Sequence, residues 1–249
     1  MASVELASLT YEEAKAILDK GAYALLPAGA TEAHGPHLPL ATDVIISHEG
    51  AIRAARLLKS EGIEALVLPP IAYAVTEFAA DFSGTISLPI ETARALLRDV
   101  ILGAMRTGFR GVVVCNAHLE PGNLQAIREA IDEANARGAN AAFPDVTRKP
   151  HALRLGEEFR SGACHAGSYE TSLVLAADRS LVHEEVAHAL PSNPTSLSRA
   201  IRDGKKSFRE AGGERAYFGQ PAEASREEGE ALYVEMADVF ASAVREIRS

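Results

Sequence analysis

Two apolar runs in this chain each end in a polar cluster that a helical pattern follows. The first run, residues 22–28, leads into a loop of Gly, Pro, His and acidic residues, and the second, residues 111–116, reads GVVVCN and leads into NAHLEPGN. An apolar run without polar alternation is typical of a parallel strand buried on both faces. Repeated strand, loop and helix units predict an α/β fold with a mostly parallel sheet and right-handed crossovers.

The remaining patterns predict further elements around these two units. We expect further strands at 65–68 and 139–144. We expect helices at 8–21, from 43 to about 62, at about 91–107, at 124–138, at 173–177 and at about 223–247. Thr10 is the expected N-cap of the first helix and Asp43 a candidate cap of the second. In the last helix the residues expected to pack inward are Ala231, Leu232, Val234, Met236, Val239, Phe240 and Val244.

Three segments lack a regular pattern. Residues 69–89 form an irregular stretch of unusual length, which in a compact domain is often functional. Its FSGT places a glycine and two hydroxyls where a ligand can approach the backbone, so Ser83, Gly84 and Thr85 are candidate substrate-binding residues. Residues 148–163 give no clear assignment. Residues 191–221 are rich in Gly, Ser and Arg and are expected to be loop or oligomer contact.

Length and charge restrict the protein class. The 249 residues are enough for one sizeable core, so we expect a single domain over 1–249. The net charge of −9 and the lack of a basic cluster argue against a nucleic-acid partner, which leaves a small molecule as the expected partner. Two cysteines are too few for a disulfide framework, and we find neither a signal peptide nor a membrane-spanning run. We therefore expect a cytoplasmic protein.

The polar clusters contain metal-ligand residues at matching places. Glu32, His34 and Asp43 follow the first strand, and His118 and Glu120 follow the buried strand at 111–116. Both clusters contain a Glu and a His two positions apart, so in an extended segment the two side chains leave the same face and can reach two neighbouring ions. Carboxylates and neutral imidazoles suit zinc, manganese or iron. Ligands of parallel sheets bind beyond the carboxyl ends of the strands, so we expect the clusters to converge.

Each of these residues also has a simpler interpretation. His118 could be a core histidine satisfied by a backbone carbonyl, and Glu170 could merely cap its helix. We expect a structural role for His37. The histidines without polar companions are expected on the surface or in packing: His48, His151, His183 and His188. Cys164 has no neighbouring base organised for nucleophilic catalysis.

Three motifs in this order, PAGATEAHGPHLPLATD, NAHLEPGN and HAGSYETS, resemble the creatininase family of metal-dependent amidohydrolases over roughly residues 20–180. The FSGT segment is similar to the family's FPGT. The resemblance implies a three-layer α/β/α fold, a binuclear metal site and a homo-oligomer, usually a hexamer. It implies one ion held by Glu32, Asp43 and His118 and another by His34, Asp43 and Glu120, with Asp43 as the bridge. His165 matches the catalytic histidine, and Glu170 and Glu120 are further candidate catalytic acids.

The chemistry follows from the donor set. Two ions can share a water, lower its pKa and polarise a carbonyl, while an imidazole such as His165 protonates the leaving nitrogen. The family's creatinine hydrolases enclose the flat ring with tryptophans, but this chain has none and carries Leu119 where those enzymes have Tyr. We therefore expect creatinine to be a poor substrate. Leu119 and Tyr169 are the other candidate substrate-binding residues.

We interpret the protein as a metal-dependent hydrolase of the C–N bond of a small amide, cyclic amide or formamide. One alternative is a metallopeptidase that acts on a modified peptide in cofactor maturation, which a longer open cleft would favour. Another is a catalytically silent metal- or metabolite-binding subunit. The five proposed ligands together with His165 argue against the silent subunit, because binding alone needs no proton donor.

Overall fold

A computed structural model describes residues 3–248. Its sheet has four strands, all parallel, in the order β2-β1-β3-β4. The strands are β1 (Tyr23–Ala28), β2 (Ala65–Val67), β3 (Val112–Asn116) and β4 (Ala141–Ala142). The prediction of a parallel α/β sheet is confirmed. The predicted strand at 139–144 is wrong in length, because the chain pairs with β3 at only two residues before Pro144 and Asp145 turn it away.

Three crossover helices determine the layers. Helix α2 (Thr42–Ser60) joins β1 to β2, α3 (Ile90–Thr107) joins β2 to β3, and α4 (Pro121–Asn135) joins β3 to β4. The first connection moves across the sheet in the opposite direction from the other two. Because crossovers are right-handed, α2 must lie on one face and α3 and α4 on the other.

The two faces of the sheet bury separate apolar clusters. Leu25, Val113 and Cys115 point towards α2 and the later helices α6 (Ser168–Asp178) and α9 (Arg226–Arg248). Leu26 and Val114 point to the other face, against α3 and α4. Every residue of β1 and β3 is buried, as the continuous apolar runs predict. The result is helices on both sides of one sheet.

The point at which the strand order reverses lies between β1 and β3. The chain leaves β1 towards one edge of the sheet and later leaves β3 towards the other edge. The loops after these two strands therefore separate, and a crevice opens between them at the carboxyl ends. The metal-ligand clusters of the sequence follow these two strands, so the topology itself brings them to one place.

Most helix boundaries lie close to those expected, with four instructive differences. Helix α1 (Tyr11–Leu18) is shorter than the expected 8–21, but Thr10 is its N-cap, as the sequence predicts, and Glu13 completes a capping box. Helix α2 begins at Thr42, so Asp43 lies in its first turn and does not cap it. Helix α4 begins at Pro121 because proline suits the first turn of a helix. Helix α6 begins five residues earlier than expected, which puts Glu170 inside it.

Short helices occupy the segments that the sequence leaves unassigned. Residues 148–163 contain a 3₁₀ turn, His151–Arg154, and α5 (Gly156–Ser161). Helix α7 spans Glu184–Ala189 and α8 spans Leu197–Arg202. The remaining 3₁₀ turns are Leu6–Ser8, Arg179–Leu181 and Pro221–Glu223. Within 191–221, expected to be loop or oligomer contact, Phe208 and Phe218 are buried. No helix within residues 3–248 is long and apolar enough to cross a membrane. That residues 1–249 form a single domain stays a prediction.

The last helix corrects two predicted core residues. Ala231 and Val234 are exposed, whereas Tyr233 and Ala237 are buried in their place. The helical repeat of 3.6 residues explains the error, since Val234 lies on the opposite face from Leu232 and Met236. An apolar residue on a helix is thus not by itself evidence of burial.

Two valines on α9 test this orientation. Val239 is 0% exposed and Val234 is 65% exposed. Val239→Ala should lower the free energy of unfolding by about 2 kcal/mol, because it removes buried methyl groups and leaves a cavity. Val234→Ala is the matched control, expected within about 0.5 kcal/mol of the parent. Urea titration followed by circular dichroism measures both; equal effects would contradict the orientation.

Candidate metal and catalytic site

The loop after β1 supplies the first donors. Gly29 follows the strand directly, and a Cβ there would lie 2.5 Å from the backbone nitrogen of Val44 and 2.6 Å from the carbonyl carbon of Asp43. The missing side chain lets the start of α2 pack against the end of β1. This close approach places the Asp43 carboxylate beside Glu32 and His34, and all three side chains are buried.

The loop after β3 supplies the second group of donors. Asn116, the last residue of β3, donates from Nδ2 to the carbonyl of His118 (2.7 Å), and Asn123 of α4 donates to the same carbonyl (2.9 Å). Asn123 also donates to Oδ1 of Asn116 (3.1 Å). These amide contacts fold the chain tightly between strand and helix. The turn presents His118 and Glu120 to the crevice.

The three site histidines share one arrangement. In each, one ring nitrogen lies against a backbone carbonyl: Nδ1 of His34 against Glu32 (3.2 Å), Nε2 of His118 against Val75 (2.8 Å) and Nε2 of His165 against Ala33 (3.0 Å). A carbonyl only accepts, so that nitrogen carries the proton. In the neutral ring the other nitrogen then offers a lone pair. Metal-binding histidines in proteins are held in this way.

The free ring nitrogens point at carboxylates. Nε2 of His34 lies 3.2 Å from Oδ1 of Asp43 and 3.5 Å from Oε2 of Glu170. Nδ1 of His118 lies 3.0 Å from Oδ2 of Asp43 and 3.3 Å from Oε1 of Glu32. A lone pair facing a carboxylate is repulsive unless a cation lies between them. Asp43 faces both imidazoles, one with each oxygen.

The pKa values of His34 and His118 also show that the buried carboxylates favour positive charge in the cluster. Burial lowers the pKa of His34, but Asp43 and Glu170 outweigh it and raise the value to about 10. Burial also opposes the charged form of His118, yet Glu32 and Asp43 raise its pKa well above the usual range. Without a metal ion the cluster therefore holds protons on these two imidazoles.

The acids and His165 shift in the direction that burial dictates. Burial raises the pKa of Glu170 to about 8 and that of Glu120 to about 6. Burial lowers the pKa of His165 to about 4, and the neighbouring His34 adds to the effect. His165 is consequently a neutral imidazole at pH 7.

The donor set fits divalent ions. Three groups have ligand atoms within 4.8 Å of one another: Glu32, His34 and His165; Glu32, His118 and Glu120; His34, Asp43 and Glu170. Nε2 of His34 and Oδ2 of Asp43 are buried and have no hydrogen-bond partner among residues 3–248. Buried polar atoms rarely remain unsatisfied, so their position among carboxylates and imidazoles is what a metal ion requires.

One feature of this grouping differs from the ligand sets implied by the sequence. Glu120 was expected beside His34 and Asp43, but the structure puts Glu170 there and Glu120 beside Glu32 and His118. The cause is the early start of α6, whose first turn carries Glu170 into the crevice. Glu170 Oε2 also accepts from the backbone nitrogen of Ala166 at 2.6 Å, so its role at the helix start and its place in the site coexist.

A four-residue stretch that the sequence analysis missed orients the donors. Val75 accepts from His118, the Thr76 hydroxyl donates to Oε2 of Glu32, and the backbone nitrogens of Glu77 and Phe78 donate to Glu120 at 3.0 and 3.2 Å. This stretch lies in the long irregular segment that the sequence marks as functional. Its residue types carry no ligand signal, because three of the four contacts are made by backbone atoms.

The donors lie at the floor of a cavity of about 440 Å³. This volume is in the range of small-molecule sites. Leu119 lines it, whereas Ser83, Gly84, Thr85 and Tyr169 do not, and substrate contact stays a prediction for all five. Tyr169 packs instead on Phe159 (ring centroids 4.9 Å), and Thr85 accepts from the backbone nitrogen of Ala33 (3.2 Å). Phe78, an aromatic residue of a candidate pocket segment, also lines the cavity, and the wall residues missed from sequence include Phe159, Arg160, Leu197, Ile201, Arg202 and Phe208.

The structure gives His37 a packing role and leaves Cys164 unsuited to nucleophilic attack. His37 is buried and bonds through Nε2 to the hydroxyl of Thr171 (2.9 Å), which ties the ligand loop to α6. Cys164 lines the cavity, but burial raises the pKa of its thiol, so it is a poor nucleophile.

Fold and donor set together define an α/β protein with a candidate metal site at the switch point of its sheet. A model of the creatininase family, described as creatinine amidohydrolase, matches residues 7–244. The mycofactocin precursor peptide peptidase of Mycobacterium ulcerans is 30% identical over 218 residues, covering 86% of this chain and 81% of the relative. The creatinine amidohydrolase of Pseudomonas putida is 30% identical over 203 residues, covering 72% and 74%.

Solved structures agree. A creatininase variant complexed with creatine has a TM-score of 0.79 at 26% identity, with 98% of each chain covered. A structure titled creatininase Mn has a TM-score of 0.73 at 26% identity, with the same coverage, and a variant of Zn-Zn type has 0.72 at 25%, with 99% of this chain and 98% of the other covered. The chain belongs to the creatininase family, whose members are hydrolases acting on C–N amide bonds. The predicted family and enzyme class are confirmed.

The raised pKa of His34 makes a prediction for the metal-free protein. A group whose pKa is higher in the folded state stabilises the fold below its ordinary value, here 6.5, and that stability is lost as the pH rises to about 10. Glu170, raised to about 8, acts in the same direction. Protein treated with a chelator should therefore lose unfolding free energy between pH 6.5 and 10.

Urea midpoints at several pH values measure this loss. The protein loaded with a divalent ion is the control, and it should keep its stability over the same range because deprotonated ligands bind metal more tightly. Constant or rising stability of the chelated protein over that range would contradict the description of the cluster.

Proposed function

We propose that this protein hydrolyses the C–N bond of a small amide, cyclic amide or formamide, with two divalent ions of zinc, manganese or iron as cofactors. The observation that carries the proposal is the common arrangement of the three histidines, whose free nitrogens face buried carboxylates, with Nδ1 of His165 3.8 Å from Oε1 of Glu32. A subunit that only binds a metal or a metabolite needs no proton donor, and thus no imidazole such as His165 beside the metal donors at the floor of the cavity. The metals named in the titles of solved creatininases support the choice of ions.

The grouping of donors favours a particular division of ligands. We assign Glu32, Asp43, His118 and Glu120 to one ion and His34, Asp43 and Glu170 to the other. Asp43 would contribute to holding both ions, since each of its oxygens faces a different imidazole. This division keeps the expected bridge and makes Glu170, expected as a candidate catalytic acid, a ligand.

The protein's own residues then handle the proton. Bound at this floor, the two ions would supply a water of lowered pKa and a positive field for the amide oxygen. His165 is neutral at pH 7, so it can accept the proton of the attacking water through Nδ1 and deliver it to the leaving nitrogen. Its Nε2 contact with Ala33 keeps the ring in that orientation.

A metallopeptidase is the second candidate function. It is favoured by the several relatives named mycofactocin precursor peptide peptidase, of which three further examples are 30–31% identical.

The cavity has Phe78, Phe159 and Phe208 in its wall and no tryptophan, so creatinine remains an expected poor substrate. Kinetics on creatinine, formamides, lactams and short peptides at equal metal loading distinguish these functions. The cytoplasmic location and the homo-oligomer stay proposals.

Metal stoichiometry tests the site directly. Plasma mass spectrometry of reconstituted, desalted protein should approach two divalent ions per chain. Asp43→Ala should lower occupancy of both ions because a bridging carboxylate serves both, whereas Glu32→Gln should mainly lower one. A parent stoichiometry near zero, or equal weak effects of the two substitutions, would refute the bridged site.

Replacement of His165 should lower the rate of hydrolysis without lowering the metal content. General acid–base catalysis contributes on the order of 10²–10⁴-fold, so His165→Ala should reduce kcat within that range at normal metal content. The matched control is His188→Ala, an exposed histidine outside the cavity wall, which should retain parent activity. Loss of metal in the His165 variant would make His165 a ligand instead of a proton carrier.

A further inference from the structure

A short basic segment closes one side of the site cavity. Residues 197–209 comprise α8 and the loop after it, and Leu197, Ser198, Ile201, Arg202 and Phe208 of this segment line the cavity. The segment carries five cationic side chains and one acidic side chain, in a chain whose net charge is −9. The expectation that the chain lacks a basic cluster is therefore wrong for this segment, and positive charge beside the site is a local feature. It is opposite to that of the whole protein.

Two arginines of the cavity wall are free to bind a ligand. Arg202 belongs to the basic segment, and Arg160 of α5 lines the same cavity. The one contact of Arg160 is from Nε to the carbonyl of Gly156 (3.1 Å), and neither guanidinium has a carboxylate partner among residues 3–248. By contrast, Arg199 lies 3.9 Å from Asp203 and Arg209 lies 3.3 Å from Glu214.

The cavity therefore has two chemically different ends. Its floor is formed by the donors Glu32, Asp43, His118, Glu120 and Glu170, which are buried or nearly so. Arg160 and Arg202 are exposed wall residues, so they lie at the opening. Apolar side chains such as Leu119, Phe159 and Ile201 complete the wall. A molecule that fills this space has its reacting amide at the floor, an apolar part beyond it and its outer end beside the arginines.

The guanidinium groups of the two arginines determine which chemical group the outer end of the ligand carries. Arginine presents a planar fork of donors that matches a carboxylate and stays charged at every working pH. The field of the basic segment also favours entry of an anion. A neutral or cationic outer end would leave both arginines without a partner.

We propose that Arg160 and Arg202 bind a free carboxylate of the substrate, which makes the substrates N-acylated amino acids or short peptides with a free C-terminus. This specificity rests on the proposed hydrolytic function, because it places the amide of the same molecule at the donor floor. An alternative role of the two cations is to offset the charge of the floor carboxylates. In that case their removal would change metal binding and affect every substrate equally.

Paired substrates separate these roles. The metal-loaded protein is assayed on acetylated dipeptides with apolar side chains, each as the free acid and as the C-terminal carboxamide. The parent should prefer the acid in kcat/KM. Arg160→Gln and Arg202→Gln should each lower kcat/KM for the acid about tenfold, mainly through KM, as expected for a lost hydrogen bond to a charged group. The carboxamide and the metal content should be unaffected.

The matched control is Arg199→Gln, on the same helix as Arg202 but outside the cavity wall, which should keep the parent's preference. Hydrolysis without preference for the acid, or an equal loss on both substrates, overturns the inference while the hydrolytic function stands. If neither substrate is hydrolysed, calorimetric titration decides. Tighter binding of the acid that is lost in Arg202→Gln supports the carboxylate site, and no difference in binding overturns it.

Discussion

The structure depends on one electrostatic constraint, the burial of carboxylates against imidazole lone pairs at the ends of β1 and β3. Glu32, Asp43 and Glu170 are buried, and burial of a charged group without compensation is very costly. The imidazoles of His34 and His118 compensate by holding protons when no metal is bound, and in their neutral form they offer lone pairs to the space beside Asp43. Divalent ions satisfy both the charge and the lone pairs. We therefore regard the fold around the crevice as a frame for cations.

That frame is built mainly from backbone. Carbonyls of Glu32, Val75 and Ala33 fix the three imidazoles, and backbone nitrogens of Glu77 and Phe78 hold Glu120. Backbone groups in packed loops move little, so the donors are arranged before any ligand arrives. The chain leaves β1 and β3 towards opposite edges of the sheet, with α2 on one face and α3 and α4 on the other, and this opens the crevice between the two loops.

Some features of the fold and of the site could be predicted from the sequence, and others could not. The parallel sheet and the two donor clusters were predictable, because apolar runs that end in Glu-x-His and His-x-Glu carry both signals locally. The orienting stretch around Thr76 was not, since its contacts are made mostly by backbone and join residues more than 40 positions apart. Val234 was misplaced because its side chain is apolar and the register of α9 depends on tertiary packing. Arg202 was hidden in a segment that appeared to be loop.

We propose that Asp43 helps to hold two divalent ions at the switch point of the sheet. Anomalous diffraction from crystals of the manganese- or zinc-loaded protein, collected at the absorption edge of that metal, tests it most directly. We expect two peaks per chain, one among Glu32, Asp43 and His118 and one among His34, Asp43 and Glu170. A single peak, or peaks that leave Asp43 uncoordinated, would contradict it.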